Sequence, residues 1–372
     1  MTNIIRLHQK EPYENGLKYG GEMGGHISTI SRLNVDSVLN LICRRGNPNH
    51  SLKVMQDYLK TCIPITEKHL PDLVEETMGI AKGAGKSFED IFLLNAFLDM
   101  FDFTFPKVKD ELFAGGCTCF GIRNIKTGVG YIAQNYDVRN LFAPGLAILD
   151  IKSSEGLRSL VVTIAGMVGC VGFNEVGLGV VINNLTPIDS RPGVPHNYVV
   201  RHILSQENIG DAINALASLP RASGYNYILG DGNGEIIGLE TTATSYNVYL
   251  PENGTILCHS NHYITDALRK AEGTPEFNGD SIVRYSRARN LLYQLNNSEI
   301  VLLDGLKKIM RDHVNYPHSI CRHTVHNGGD RKEYQGETVF SVVLDLKRLE
   351  MHYCQGNPCS NNYRLIKLEG DE

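Results

Sequence analysis

The chain has 372 residues, 42% of them hydrophobic and 21% charged, enough for a large core and one to three domains. A net charge of −5 and an isoelectric point near 6.2 argue against a nucleic-acid partner, which usually meets a basic stripe. There is no apolar run of the roughly 18 residues that a membrane span needs, and Met1–Arg6 lacks the apolar core of a secretory signal. Nine cysteines at irregular spacings read as reduced thiols of a cytoplasmic protein rather than as a disulfide framework.

In chain order, residues 1–110 read as helical. From Glu14 to Arg45, Leu17, Met23, Ile27, Ile30, Leu33, Val38 and Leu41 recur near helical spacing. Gly16, Gly20, Gly21, Gly24 and Gly25 interrupt this segment, small residues that let another backbone approach closely. Ser51–Cys62 and Leu73–Ala84 are further helices. Another begins at Ser87, which can cap it, with Asp90 three residues on.

The texture changes after Phe113. Cys119–Arg123 and Gly130–Asn135 read as a hairpin, followed by strands at 146–151, 160–165, 170–174 and 177–184. Helices are expected at 196–205 and 209–219. A hairpin with an Asp-Gly turn follows at 226–240, then strands at 246–250 and 255–259. Helices over 281–295 and 299–313 and a hairpin of 338–345 with 348–353 close the chain. Many antiparallel strands need cover on their apolar faces, and the helices can supply it. The expected fold is a layered α+β sandwich, with Cys117 at the start of its first strand.

At that helix-to-strand boundary stands Gly115-Gly116-Cys117-Thr118. A flexible Gly-Gly lowers the cost of strained backbone geometry. If the chain breaks at Gly116-Cys117, Cys117 gains a free α-amine with a reference pKa of about 8. Nucleophile and base would then sit on one residue, with no catalytic histidine. The alternative is a buried core cysteine, common for free Cys.

The chain also carries an ordered set of short motifs. They are Pro12-Tyr13-Glu14-Asn15-Gly16, Gly79–Ala84, Gly116-Cys117-Thr118, Gln134-Asn135-Tyr136-Asp137 and Gly172-Phe173-Asn174 with Gly177. After them come Gly193-Val194-Pro195, His259-Ser260-Asn261-His262, Asn315–Arg322 and Gly336–Phe340. This set resembles the C45 peptidase family, the acyl-CoA:6-aminopenicillanic acid acyltransferase type of N-terminal-nucleophile (Ntn) hydrolase. The resemblance implies an αββα four-layer sandwich and self-cleavage into a helical segment 1–116 and a catalytic segment 117–372, the two remaining one structural unit. It implies acyl transfer or amide hydrolysis on a small N-acyl substrate, with acyl-CoA a candidate donor, and no cofactor or metal.

By the same resemblance Cys117 is the nucleophile and Asn261 an oxyanion-hole donor. Asp137 fixes the new ammonium or orients the nucleophile, and Arg322 orders the site or binds a substrate carboxylate. The chain departs from the penicillin-type enzyme at Gln335, where that enzyme has an arginine. Arg331 or Lys332 of the same loop could substitute, and the substrate's charged end is where the departure bears.

Other constellations are weaker. Cys258, His259 and His262 with Cys117 and Cys119 lack a standard zinc spacing. His259 or His262 could serve Cys117 as a papain-like base in an uncleaved chain. His313, His318, His323 and His326 read as a solvated loop. Gly230–Gly234 lies within a hairpin and reads as a turn, not a phosphate loop. A non-catalytic binding protein that keeps the fold and a buried Cys117 is the reading from another class.

Overall fold

Two β-sheets packed face to face organise the molecule. The structure is a computed structural model that describes residues 3–45, 48–104, 116–124, 127–152, 156–275, 279–298, 302–324 and 336–368, with side chains except over 36–45 and 48–52. The larger sheet has eight strands in the order β1-β4-β5-β6-β7-β8-β9-β10. These are β1 (Asn3–Leu7), β4 (Leu146–Ile151), β5 (Ser159–Ile164), β6 (Val171–Asn174), β7 (Gly179–Leu185), β8 (Gly224–Gly230), β9 (Ile236–Thr241) and β10 (Tyr246–Tyr249). The smaller has six, in the order β11-β2-β3-β12-β13-β14: β11 (Ile256–His259), β2 (Gly116–Arg123), β3 (Gly130–Arg139), β12 (Gly336–Asp345), β13 (Glu350–Gln355) and β14 (Arg364–Lys367). Strands β2 and β3 lie against β7 and β8.

Helices cover both outer faces. On the larger sheet lie α1 (Pro12–Arg45), α2 (Pro48–His69), α3 (Pro71–Ala84), α4 (Phe88–Thr104), α5 (His196–Leu204) and α6 (Ile209–Ser218). On the smaller lie α7 (Gly279–Asn296) and α8 (Leu302–Ile309). The result is the four-layer αββα sandwich.

Alternation along β2 fixes what each face does. Cys117 and Cys119 join the cluster between the sheets, while Phe120 and Ile122 join Ala288, Leu292 and Leu306 beneath α7 and α8. A strand buried on both faces reads as a continuous apolar run rather than as an alternation. That is why Cys119–Ile122 could be placed on a strand but its facing could not be read.

Several boundaries differ from the sequence reading. Residues 3–7, within the segment read as helical, form β1 and pair in parallel with β4, Asn3 opposite Ala147 and Leu7 opposite Ile151. Ile5 and Leu7 point inward and their neighbours outward, a period-2 signal only five residues long. Cys117 is therefore on the second strand of the chain. Helix α2 is longer than expected and runs through Pro64, and β14 was missed because only Ile366 of its four residues is buried. The Ser87 cap forms, the Asp90 N–H donating to Ser87 Oγ at 3.1 Å. Segments 3–104 and 116–368 share one core, since β1 and α1–α4 pack into the same cluster as β4–β9.

Glycines set the distance between α1 and α3. A Cβ on Gly20 would lie 2.2 Å from the Ile80 carbonyl oxygen, and one on Gly79 would lie 2.1 Å from that of Tyr13. Both meet backbone, which cannot yield cheaply. Gly21, one residue on, faces open space. Gly20→Ala should therefore destabilise by at least about 1–3 kcal/mol, while Gly21→Ala should stabilise by about 0.5–1 kcal/mol through helix propensity. Urea unfolding of the two variants checks the opposite signs.

Candidate active site

Cys117 sits at the end of β2, held through its own backbone. Its N–H donates to Asn261 Oδ1 at 2.8 Å. Its carbonyl accepts from Arg284 Nη1 at 2.7 Å and from Asn183 Nδ2 at 3.0 Å. Four elements thus converge on one residue: β2, the end of β7, the turn after β11, and α7.

The orientation of the Asn261 amide follows from its partners. Its Oδ1 accepts from both Cys117 N and Arg284 Nη2 (3.0 Å), and its Nδ2 donates to the Asn184 carbonyl at 3.0 Å. An amide nitrogen carries two hydrogens, so one remains to donate elsewhere. Asn184 is in turn held by Asp102 of α4, whose Oδ2 accepts from Asn184 Nδ2 at 3.1 Å and from Ser223 Oγ at 2.7 Å. Asn183 Oδ1 accepts from Asn226 Nδ2 at 2.9 Å, and Asn226 Oδ1 accepts from the Tyr249 hydroxyl at 2.6 Å. Gly116 has no room for a side chain: a Cβ there would lie 2.8 Å from Arg284 Nη2 and 3.1 Å from Asn261 Oδ1.

On the α7 side of the sheet lies a buried charge cluster. Arg284 is 1% exposed and also donates to Thr118 Oγ1 at 3.1 Å. Arg322 donates to Asp280 Oδ2 at 2.7 Å, and Arg284 Nη2 lies 3.9 Å from the same oxygen. Asp137 pairs across the strands with Gly116 and accepts from Thr338 Oγ1 at 2.7 Å. Its other oxygen is buried without a hydrogen-bond partner. Because side chains alternate, the Asp137 carboxylate faces α7 while the Cys117 thiol faces the other sheet. The four expected residues therefore gather at one strand end, but unequally. Asn261 touches Cys117, Asp137 lies across the sheet from the thiol, and Arg322 reaches the site through Asp280 and Arg284.

Burial dominates the electrostatics. It pushes the Cys117 thiol up to about 12, helped by the Asp137 charge and opposed by the Asp137 N–H, Arg284 and Gln134. It raises Asp137 to about 7 against the pull of Arg284 and Arg322.

The histidines are committed elsewhere. His259 Nδ1 meets the Ser260 carbonyl and its Nε2 meets Glu240 Oε1, each at 2.8 Å. Both ring nitrogens are thus engaged by oxygens of other residues, and neither is directed at the thiol. His262 contacts Ser281 Oγ at 2.8 Å, and burial lowers it to about 4. Cys258 points to the α7 side, away from Cys117 and Cys119, so these residues do not converge on a metal. The late histidines are not a uniformly solvated loop, since His313 and His323 meet ring to ring; His326 lies outside the described residues. Gly115, Arg331, Lys332 and Gln335 also lie outside them.

Sequence reasoning missed Arg284, Asp280, Asn183, Asn184 and Asp102. Two adjacent amides ending the apolar strand Gly179–Leu185 were a usable signal for the asparagines. Arg284 offered only its i+4 spacing from Asp280, which any solvated helix face can show.

The raised Asp137 yields a pH test. A carboxyl held above its unfolded value is most favourable to the fold while protonated; that stability is lost as pH rises from about 4 through about 7. Asp137→Asn keeps an acceptor for Thr338 and removes the ionisation. The variant should melt above the wild type at pH 8, with the gap shrinking as pH falls toward 4, read by thermal unfolding across that range.

Residues 123–360 match the family model for acyl-coenzyme A:6-aminopenicillanic acid acyl-transferase; Asp137, Asn261 and Arg322 lie inside the match and Cys117 just before it. The acyl-coenzyme A:6-aminopenicillanic-acid-acyltransferase 40 kDa form of Emericella nidulans is 28% identical over 342 residues, 91% of this chain and 88% of that protein. An uncharacterised Archaeoglobus fulgidus protein is 24% identical over 260 residues, 64% of this chain and 43% of that one. Among solved structures, penicillin V acylase from Agrobacterium tumefaciens aligns with TM-score 0.44 and 15% identity, covering 68% of this chain and 86% of that one. A mutant of the conjugated bile acid hydrolase from Clostridium perfringens aligns with TM-score 0.43 and 15% identity, covering 68% and 97%. With the family model matched over well more than half its length, the chain belongs to the acyl-coenzyme A:6-aminopenicillanic acid acyl-transferase family.

Proposed function

We propose that this chain is a self-processed cysteine enzyme that hydrolyses or transfers the acyl group of a small N-acyl amide or acyl thioester, acyl-CoA included, through a thioester on Cys117. The observation that carries the reading is the partner of the Cys117 nitrogen. The site is arranged around that backbone atom, with Asn261 Oδ1 at 2.8 Å, while neither ring nitrogen of His259 is free to act as base.

Processing comes first. Cys117 Sγ attacks the Gly116 carbonyl carbon, the C–N bond breaks, and the thiol proton ends on the Cys117 nitrogen. Water hydrolyses the resulting thioester, leaving residues 1–116 and 117–372 as a paired heterodimer with a free amine on Cys117. Shared burial of the two segments in one core supports their staying together.

Catalysis then uses the new amine as base. Asn261 Oδ1 accepts from it, aiming its lone pair at the thiol. The thiolate attacks the acyl carbonyl, and the second hydrogen of Asn261 Nδ2 with a backbone N–H holds the oxyanion. The ammonium protonates the leaving group. Water or an acceptor amine attacks the thioester, returning the thiol. The spare Asp137 oxygen, one strand pair from Gly116, favours the ammonium form, and Arg284 with Asn183 pins the Cys117 carbonyl throughout. The compartment that fits is the cytoplasm; no described helix is long and apolar enough to cross a membrane.

The test is a screen of N-acyl amides and acyl thioesters with rapid acid quench and peptide mass spectrometry. An acyl mass on the peptide beginning at Cys117 is expected, absent in Cys117→Ala. Asn261→Ala should slow acylation by about 10²–10³-fold. Turnover that survives Cys117→Ala, or an adduct on another residue, would contradict the reading.

A further inference from the structure

Away from this site, on the turns at the end of the smaller sheet, four metal-competent side chains meet. His313, Cys321 and His323 come from the segment after α8, and Cys359 comes from the turn between β13 and β14. Their ligand atoms all lie within 4.8 Å of one another. His313 Nε2 and His323 Nε2 are 3.0 Å apart. His323 Nε2 is 3.6 Å from Cys321 Sγ and 3.5 Å from Cys359 Sγ.

The two distances from His323 Nε2 to sulfur match one coordination geometry, and the 3.0 Å between the ring nitrogens is a little short of it. Two sulfurs and two imidazole nitrogens held tetrahedrally at bond lengths of about 2.3 and 2.0 Å lie roughly 3.3–3.8 Å from one another. No carboxylate belongs to the group, and an N₂S₂ set selects a borderline-soft ion such as zinc. Hydrogen bonding alone serves the cluster poorly: His323 Nε2 faces one nitrogen and two sulfurs, and a single ring atom cannot satisfy three partners.

The surroundings fit as well. Asn357 Nδ2 donates to Cys321 Sγ at 3.7 Å and to the Arg322 carbonyl at 2.6 Å. Ser360 Oγ lies 3.4 Å from Cys359 Sγ. Donors to thiolate sulfur are the usual support of such ligands. Cys321 is buried while His313 is exposed, which leaves an entry side.

We propose that His313, Cys321, His323 and Cys359 form a four-ligand structural site for zinc or a similar divalent ion. Binding converts two thiols to thiolates and releases their protons to solvent, with both imidazoles neutral. All four positions are protein ligands, so the site is closed to substrate and its role is a clamp. What it clamps is Arg322, the residue between two of the ligands. The Arg322 N–H donates to Thr338 Oγ1 at 2.9 Å and its carbonyl accepts from Thr338 N at 3.1 Å. The ion thereby ties the segment that carries Arg322 to the β13–β14 turn. The spacing 313–321–323–359 corresponds to no standard finger, so only the fold brings these ligands together.

The test uses the full chain, reduced and stripped with a chelator, then titrated with Co(II) and Zn(II). One ion per chain is expected, with the visible bands of tetrahedral cobalt and thiolate-to-cobalt charge transfer, and a melting temperature that rises on addition. Cys359→Ser and the exposed-site variant His313→Gln should weaken binding by more than the roughly 10–100-fold typical of losing a supporting contact. His318→Gln, a nearby histidine outside the group, should bind as the wild type does. Absence of cobalt bands in the reduced chain, binding undiminished in Cys359→Ser and His313→Gln, or a Cys321–Cys359 disulfide whose reduced form takes up no ion would overturn the proposal.

Discussion

Arg284 is the interaction on which the site depends. It is a cation with 1% exposure, and its fork is divided among the Cys117 carbonyl, Thr118 Oγ1 and Asn261 Oδ1. Burying a charge is costly unless it is paired and hydrogen-bonded. Here Arg284 and Arg322 face Asp280 and Asp137, two cations against two carboxyls. Asp280 takes the direct contacts and is pulled down by both arginines although burial acts against it. Asp137 keeps one oxygen without a partner, and desolvation wins there. Arg284, held by these bonds, also crowds position 116, where a Cβ would lie 2.8 Å from its Nη2.

The buried thiol sets the second constraint. With its proton held up to about 12, the Cys117 thiol of an unbroken strand lacks the base that repeated attack on a substrate needs, whereas the proposed attack on its own Gly116 carbonyl happens once and passes the proton to the departing Cys117 nitrogen. Neither His259 nor His262 relieves this. A base must come from somewhere, and the nitrogen already bonded to Asn261 is the nearest chemistry available once it becomes an amine. One reading thus accounts for the glycine, the buried cysteine and the engagement of both His259 ring nitrogens away from the thiol.

Most of the fold was legible in the sequence. Strands such as Leu146–Ile151 and helices such as Leu73–Ala84 carry clear periodicity, and of the glycines of α1 read as a close backbone contact Gly16 and Gly20 make one, while Gly21 and Gly25 face open space. β1 was lost because five residues before a long helical stretch give periodicity little to work with. The site was legible only in part. Asn261, Asp137 and Arg322 came from motif resemblance rather than from spacing. Arg284 and Asp102 could not be read, because their roles exist only where β2, β7, α4 and α7 converge, and the adjacent amides Asn183 and Asn184 were a signal left unused. The cluster of His313, Cys321, His323 and Cys359 escaped for the same reason: its last ligand is brought in by a hairpin far along the chain.

Whether the Cys117 nitrogen becomes the catalytic base is decided by the chemical identity of the chain ends. Intact-mass measurement with N-terminal sequencing of the purified protein should find two species, one ending at Gly116 and one beginning with an unblocked Cys117, and a single species in Cys117→Ala. A wild-type protein that turns over substrate while remaining one unbroken chain would contradict that role for the nitrogen.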